Sequence, residues 1–214
     1  MEKLKRYCVF FIGLYIHSLG VSLITKTALG TSPISSIPYV LSLRFPFTLG
    51  NFTIFFSFFL ILLQLIILRR NFQIEHLLQI PISILFGYFI DGSMYLLSFI
   101  QLPTYPMQIL CLLIGCFVLG FGVSIEVLAN VAMLPGESFV RSIVMTWHTE
   151  FGLTKIWVDA SMTITAVVLS IILFHHLNGV REGTIITALL AGFIIRICKK
   201  VLSPLLVRII PAQW

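Results

Sequence analysis

Residues Gly20 to Ser36 read GVSLITKTALGTSPISS, and residues Gly122 to Ser138 read GVSIEVLANVAMLPGES. Gly20-Val21-Ser22, Pro33 and Ser36 of the first stretch recur as Gly122-Val123-Ser124, Pro135 and Ser138 of the second, each 102 positions on (122 − 20 = 102). The same register extends outward: Ile12-Gly13 recurs as Ile114-Gly115, Gly50 as Gly152 and Ile54 as Ile156. It resumes at a spacing of 105, where Leu85-Phe86-Gly87-Tyr88-Phe89-Ile90 parallels Leu190-Ala191-Gly192-Phe193-Ile194-Ile195 (190 − 85 = 105). Residues 7–100 and 107–205 are thus expected to be two copies of one unit. In membrane proteins such halves flank a central binding site.

Composition makes the unit a membrane unit. The chain is 58% hydrophobic and 10% charged, whereas soluble domains carry roughly 25% charged residues. Runs long enough to cross a hydrocarbon layer, about 20 residues each, occupy Tyr7–Thr27, Phe52–Leu68, Leu77–Phe99, Met107–Leu128, Trp157–Phe174 and Thr184–Val201. The first run is apolar throughout and no small-residue cleavage pattern follows it, so a span is expected there rather than a signal peptide. Pro33–Phe45 and Pro135–Trp147 are too short, since about 13 residues rise near 20 Å as helix against a core of ~30 Å. Each opens on proline, which suits the first position of a helix. They are expected as re-entrant or broken half-helices, because backbone broken at membrane depth survives only where it is buried in protein or lines a wet cavity.

The basic residues orient this arrangement. With the N-terminus inside, Lys3, Lys5, Arg6, Arg69, Arg70, Arg141, Lys155, Arg196, Lys199, Lys200 and Arg208 fall on the cytoplasmic side, leaving Lys26, Arg44 and Arg181 outside. Both termini are therefore expected in the cytoplasm. Three crossings per copy is an odd number, so the second copy enters the membrane from the opposite side. The expected fold is an all-α polytopic membrane protein, residues 1–214 forming one integral domain, with six spans and two half-helices in two inverted three-span repeats.

Several function classes fall away at this point. The net charge of +6 is what cytoplasmic loops facing anionic lipid carry, and no basic stripe interleaved with aromatics suggests nucleic acid. Cys8, Cys111, Cys116 and Cys198 lie in or beside apolar runs without C-x-x-C spacing, which reads as packing rather than metal or redox chemistry. No nucleotide-binding loop is present. No cofactor is expected.

The turn Ala28-Leu29-Gly30-Thr31-Ser32-Pro33, the glycine-bearing first span, Gly50 and the Gly87…Asp91-Gly92 span resemble the YczE/YyaS/YitT-like group of bacterial multi-pass membrane proteins. The resemblance covers nearly the whole chain. It implies the bacterial cytoplasmic membrane as location and links the group to export of antibiotics or other metabolites. The second half departs from the pattern, with Ala132-Met133-Leu134-Pro135 in place of a Gly-x-x-Pro turn. No counterpart of the soluble C-terminal domain of the YitT branch is read in the sequence.

Chemistry is expected where polar groups interrupt apolar runs, since a charge at bilayer depth costs at least ~2.5–3.5 kcal/mol. Thr31, Ser32, Ser35 and Ser36 put capping hydroxyls and backbone N–H groups at one half-helix N-terminus, which suits an anionic or carbonyl group. Glu137 and Ser138 occupy the other, with Arg141 four residues on as a partner for Glu137. Glu137 is expected either to cap the helix or to bind a proton or cation. Asp91 and Arg196 are repeat equivalents (196 − 91 = 105), expected as a buried ion pair, with Arg196 reaching the interface, or a direct role in substrate or proton binding, as the alternatives. Glu126 and Asn130 share a helix face near Asp159, and these acids make the second half the candidate for ion coupling. His17 reads as a packing residue.

Small-molecule transport or facilitation at the repeat interface is the expected function. The expected partners are lipid and an unidentified substrate, with proton or cation coupling and a homodimer as further expectations. Two alternatives stay open: a non-transporting scaffold or sensor, and an intramembrane enzyme using Ser138 with His148, although Gly136-Glu137-Ser138-Phe139 lacks the closing glycine of a nucleophile elbow.

Overall fold

A computed structural model describes residues 2–69 and 77–209, and every regular element of any length among them is an α-helix. Arg70, one of the expected cytoplasmic cations, lies outside the described residues. The helices are α1 (Glu2–Lys26), α2 (Pro33–Arg44), α3 (Leu49–Leu68), α4 (Gln79–Leu96), α5 (Tyr105–Ala129), α6 (Pro135–Trp147), α7 (Phe151–Phe174) and α8 (Glu182–Ile209). Both short helices begin at their prolines. α3 and α7 begin at Leu49 and Phe151, before the apolar runs that start at Phe52 and Trp157, so Gly50 and Gly152 lie inside the first helical turn.

Among the described residues four helices are long and apolar enough to cross a membrane: Leu4–Lys26 of α1, α3, α5 and α7. The other two expected spans correspond to α4 and α8, whose apolar character is diluted by Gln79 and Asp91 in one and by Arg196, Lys199 and Lys200 in the other.

At the centre α1 crosses α5. A Cβ added at Gly20 would overlap the backbone of Leu119, and one added at Gly122 would overlap that of His17. Gly13 meets Ile125 and Glu126, with 3.0 Å left for a Cβ, while Gly115 meets Ile24 at 2.7 Å. Contacts that climb one helix as they descend the other make the crossing antiparallel. Bare glycine faces permit this approach, which gains packing where lipid offers no hydrophobic drive between helices. Phe10, Leu14, Val21 and Ile24 of α1 and Leu112, Cys116, Leu119 and Val123 of α5 fill the core on either side, joined by Ile82, Phe86 and Ile90 of α4.

The outer helices attach to this crossing in matching ways. α4 lies on α1, where Ser22 Oγ donates to the Ile90 carbonyl at 3.3 Å, and α8 lies on α5, where Ser124 Oγ donates to the Ile195 carbonyl at 3.2 Å. Each short helix reaches into the other half, α2 against α7 and α6 against α3. Both are buried at their N-terminal turns and exposed at their C-terminal ends.

Candidate functional site

The first turns of α2 and α6 meet. A Cβ added to Gly136 would stand 2.8 Å from Cδ1 of Ile34, so the two short helices touch near their starts. Around α2 the hydroxyls are spent locally. Thr31 Oγ1 lies 3.2 Å from Thr25 Oγ1, Ser32 Oγ donates to Ser35 Oγ at 2.9 Å, and Ser36 Oγ donates to the Pro33 carbonyl at 2.5 Å. Ser32 stands at the N-cap but its side chain accepts from no backbone amide of the helix, which corrects the expectation of capping hydroxyls. The turn before it is held by α8, with the Thr31 amide donating to Thr184 Oγ1 at 3.3 Å and the Gly183 amide to the Leu29 carbonyl at 2.9 Å. Gly30 has φ 118° there, and an added Cβ would strike Thr184.

The first turn of α6 is built on amides instead. Gln64 of α3 and Gln79 of α4 are buried and bond each other, Gln64 Nε2 to Gln79 Oε1 at 3.3 Å and Gln79 Nε2 to Gln64 Oε1 at 3.2 Å. Gln79 Nε2 also donates to Ser138 Oγ at 2.8 Å, Ser138 Oγ donates to Gln64 Oε1 at 3.0 Å, and Gln64 Nε2 donates to the Pro135 carbonyl at 3.1 Å. This closed network locks the α6 entrance onto the α3/α4 pair. Two glutamines with every polar atom partnered specify one arrangement. Ser138 is thus directed at Gln64, while His148 is the exposed left-handed residue that ends α6.

Beside this network lies an ionisable centre. His17 of α1 donates through Nδ1 to Glu126 Oε1 of α5 at 2.9 Å, with side chains 14% and 7% exposed. The imidazole also rests 4.9 Å from the Phe86 ring. The pair crosses from one half of the chain to the other, so His17 is a partner in an acid–base pair and not simply a packing residue. Glu137 of α6 is half-buried, and the charges that act on it are Lys155, Glu126, His17 and Asp159. Lys155 and Asp159 pair with each other on α7 at 3.2 Å. Four helices therefore bring three acids, one histidine and one lysine to a single region.

Other sequence expectations are redistributed. Arg141 does not pair with Glu137; it stands one turn nearer the exposed end of α6 and directs Nη1 to Met133 Sδ at 3.7 Å. Asn130 shares no site with Glu126: it is the exposed residue with φ 49° that ends α5, its amide bonded to the Glu126 carbonyl at 3.3 Å. Asp91 is not paired with Arg196. Its Oδ2 accepts from Thr48 Oγ1 at 2.6 Å and its Oδ1 from the Gly50 amide at 2.8 Å, so the carboxylate caps the N-terminus of α3, where the dipole and free amides favour an anion. Arg196 is exposed on α8. Gln64 and Gln79 are the site residues that a search for charges passes over; their signal is an amide inside an apolar run. Among the described residues no group of three or more His, Cys, Asp or Glu has the geometry to hold a metal ion.

Residues 4–200 match the model of a family of unknown function, DUF6198. Over 201 residues the chain is 32% identical to the uncharacterized membrane protein YczE of Bacillus subtilis (strain 168), covering 91% of this chain and 86% of that one. It is also 24% identical over 193 residues to the uncharacterized protein YyaS of the same organism, covering 90% and 91%. No solved structure matches.

Proposed function

The chain belongs to the family of unknown function DUF6198, and we propose that this membrane protein is a small-molecule secondary transporter or facilitator that couples movement of its substrate to a proton or cation at Glu137. The observation that carries the reading is the ionisable centre. His17 and Glu126 pair across α1 and α5, their charges act on Glu137 of α6, and they sit in a chain of which only 10% is charged. Ionisable groups kept inside a membrane protein mark ion and substrate pathways.

The proposed architecture is the inverted repeat of six spans, with α4 and α8 completing the crossings and both termini cytoplasmic. Its support is the way contacts repeat at the sequence offset. Gly20 on Leu119 answers Gly122 on His17, Ser22 on Ile90 answers Ser124 on Ile195, and Ile34 meets its own equivalent, Gly136 (136 − 34 = 102). An antiparallel crossing of equivalent helices is what a two-fold axis in the membrane plane produces. Along that axis the broken helices point their N-termini at one another, as in transporters that bind substrate between half-helices. Export of a metabolite is the direction suggested by the resemblance to YczE-like proteins.

The test is solute flux by the purified protein in liposomes, wild type against Glu137→Gln at matched incorporation. Solute-dependent flux lost in Glu137→Gln supports the reading. Absence of flux above empty liposomes across chemically varied solutes removes it.

A further inference from the structure

Each half ends in a pair of long helices, and the two pairs stand in different states. α3 and α4 are shut. A Cβ at Gly50 would overlap the Gly87 carbonyl, a Cβ at Gly87 would come within 2.5 Å of Ile54, and Asp91 closes the end by accepting from Thr48 and the Gly50 amide. The repeat offsets carry Thr48, Gly50 and Ile54 to Glu150, Gly152 and Ile156 on α7, and Gly87 and Asp91 to Gly192 and Arg196 on α8. There nothing meets. A Cβ at Gly192 would find nothing within 4 Å, one at Gly152 only Glu150 of its own helix at 3.5 Å, and Ile156 is 65% exposed.

The second pair keeps the complementarity of the first in different chemistry. Where Thr48 donates to Asp91, the equivalents are a carboxylate, Glu150, and a guanidinium, Arg196, both exposed and unpaired with each other among the described residues. Both residues have changed, and the attraction has been retained. A hydroxyl bond acts only at contact, whereas opposite charges act across a gap.

The attachments say which helix moves. α8 is fixed at this level, with Ser124 bonded to the Ile195 carbonyl and Gly120 against Ile194. α7 is the least buried of the four long apolar helices. Its far end is tied at Ser170, which accepts from the Asn178 amide at 2.6 Å and donates to the Asn178 carbonyl at 2.9 Å. Between α6 and α7 runs a cleft of ≈ 380 Å³ flanked by Thr149, Thr154 and Ser161. At the corresponding places in the first half stand Phe47, Phe52 and Phe59, packed ring to ring with their neighbours.

We propose that α7 is a gate: pivoting about Ser170, it closes onto α8 so that Gly152 meets Gly192 and Glu150 pairs with Arg196, and the present structure holds the open state. Closure also carries Lys155 and Asp159 past Glu137, so the charges around that group change with the gate. This last consequence rests on the transport reading, while the closure itself does not. In the proposed topology the gap opens to the cytoplasm.

The experiment is disulfide formation between Ile156→Cys and Gly192→Cys in membranes, in a chain whose four native cysteines are replaced. Ile54 and Gly87 are in contact in the first half, so the equivalent pair bonds only when the gate shuts. The closure predicts an intramolecular disulfide whose rate falls about two- to five-fold with Glu150→Gln or Arg196→Gln, the population shift an exposed ion pair supplies. The exchange Glu150→Arg with Arg196→Glu should restore the rate. If the cysteine-free chain is lost from the membrane, the same pair is read with native cysteines retained and the bond located by peptide mass spectrometry. No disulfide, or one indifferent to these charges, overturns the gate, and a disulfide joining two chains assigns the open face to a second copy instead. Flux measured on the same variants separates the two claims: flux without closure leaves transport standing without the gate, and closure without flux does the reverse.

Discussion

Ile34 and Gly136 lie 102 residues apart in the chain and pack against each other in the fold, the glycine leaving 2.8 Å between a would-be Cβ and Ile34 Cδ1. They hold equivalent positions in the proposed repeat, whose equivalents would touch only where the halves cross. The contact joins the starts of both broken helices and sets how closely Glu137 approaches the opposite half. Gly136→Val should force the half-helices apart and lower membrane abundance, with overpacking costing about 1–3 kcal/mol. Ile34→Ala combined with Gly136→Val should recover abundance, measured by quantitative blotting of membranes; failure of the double variant to recover would show that the residues do not share this space.

The α1/α5 crossing makes a sharper forecast. Gly20→Ala and Gly122→Ala place a methyl on backbone that has no side chain to yield, so folded protein should fall steeply. Gly92→Ala meets open space and should be neutral or stabilising by up to about 1 kcal/mol through helix propensity. Equal abundance of all three variants would contradict the crossing.

The all-helical fold is legible in the sequence through particular residues: the prolines at 33 and 135 mark the starts of both short helices, and glycines such as Gly20 and Gly122 mark the crossing. The partners of the charges were not legible. The 105-residue offset between Asp91 and Arg196 does not make them neighbours, and Asp91 meets the N-terminus of α3 instead. His17 and Glu126 are 109 residues apart and meet only once the antiparallel crossing is known. Gln64 and Gln79 escaped because an uncharged amide pair leaves hydropathy almost unmarked.

Asp91 as the cap of α3 predicts a modest effect. Asp91→Asn and Thr48→Val should each cost about 0.5–2 kcal/mol, the range for a lost helix cap, and should be non-additive with one another. Arg196→Gln should leave thermal stability unchanged. A destabilisation by Arg196→Gln matching that of Asp91→Asn in a detergent melting assay would revive the buried ion pair.

For the amide network, Gln64→Leu strands Gln79 and Ser138 in the interior, and about 1–3 kcal/mol is the cost of a buried group left unsatisfied. Ser138→Ala should be milder, since it removes one hydroxyl, a donor to Gln64 and an acceptor from Gln79, while the two glutamines keep each other. If Ser138→Ala instead abolished function at full abundance, the hydroxyl would have a chemical role and the enzyme reading would regain ground.

The His17–Glu126 pair separates stability from activity. His17→Leu or Glu126→Leu alone leaves one partner buried, an imbalance costing about 3–5 kcal/mol when the pair is charged, and should reduce folded protein. Replacing both should restore abundance and leave flux impaired. Restored flux in the double variant would reduce the pair to scaffolding.

Glu137 is where the account is most exposed, and one measurement reaches it directly. The protein is reconstituted in liposomes containing a pH-sensitive dye and challenged with fractionated small molecules from spent bacterial culture medium. Wild type, Glu137→Gln and Arg141→Gln are compared at equal incorporation. The account predicts solute-dependent proton movement in wild type and in Arg141→Gln, whose side chain is outside the centre, and its loss in Glu137→Gln. Equal movement in Glu137→Gln, or none in wild type above empty liposomes, would contradict it.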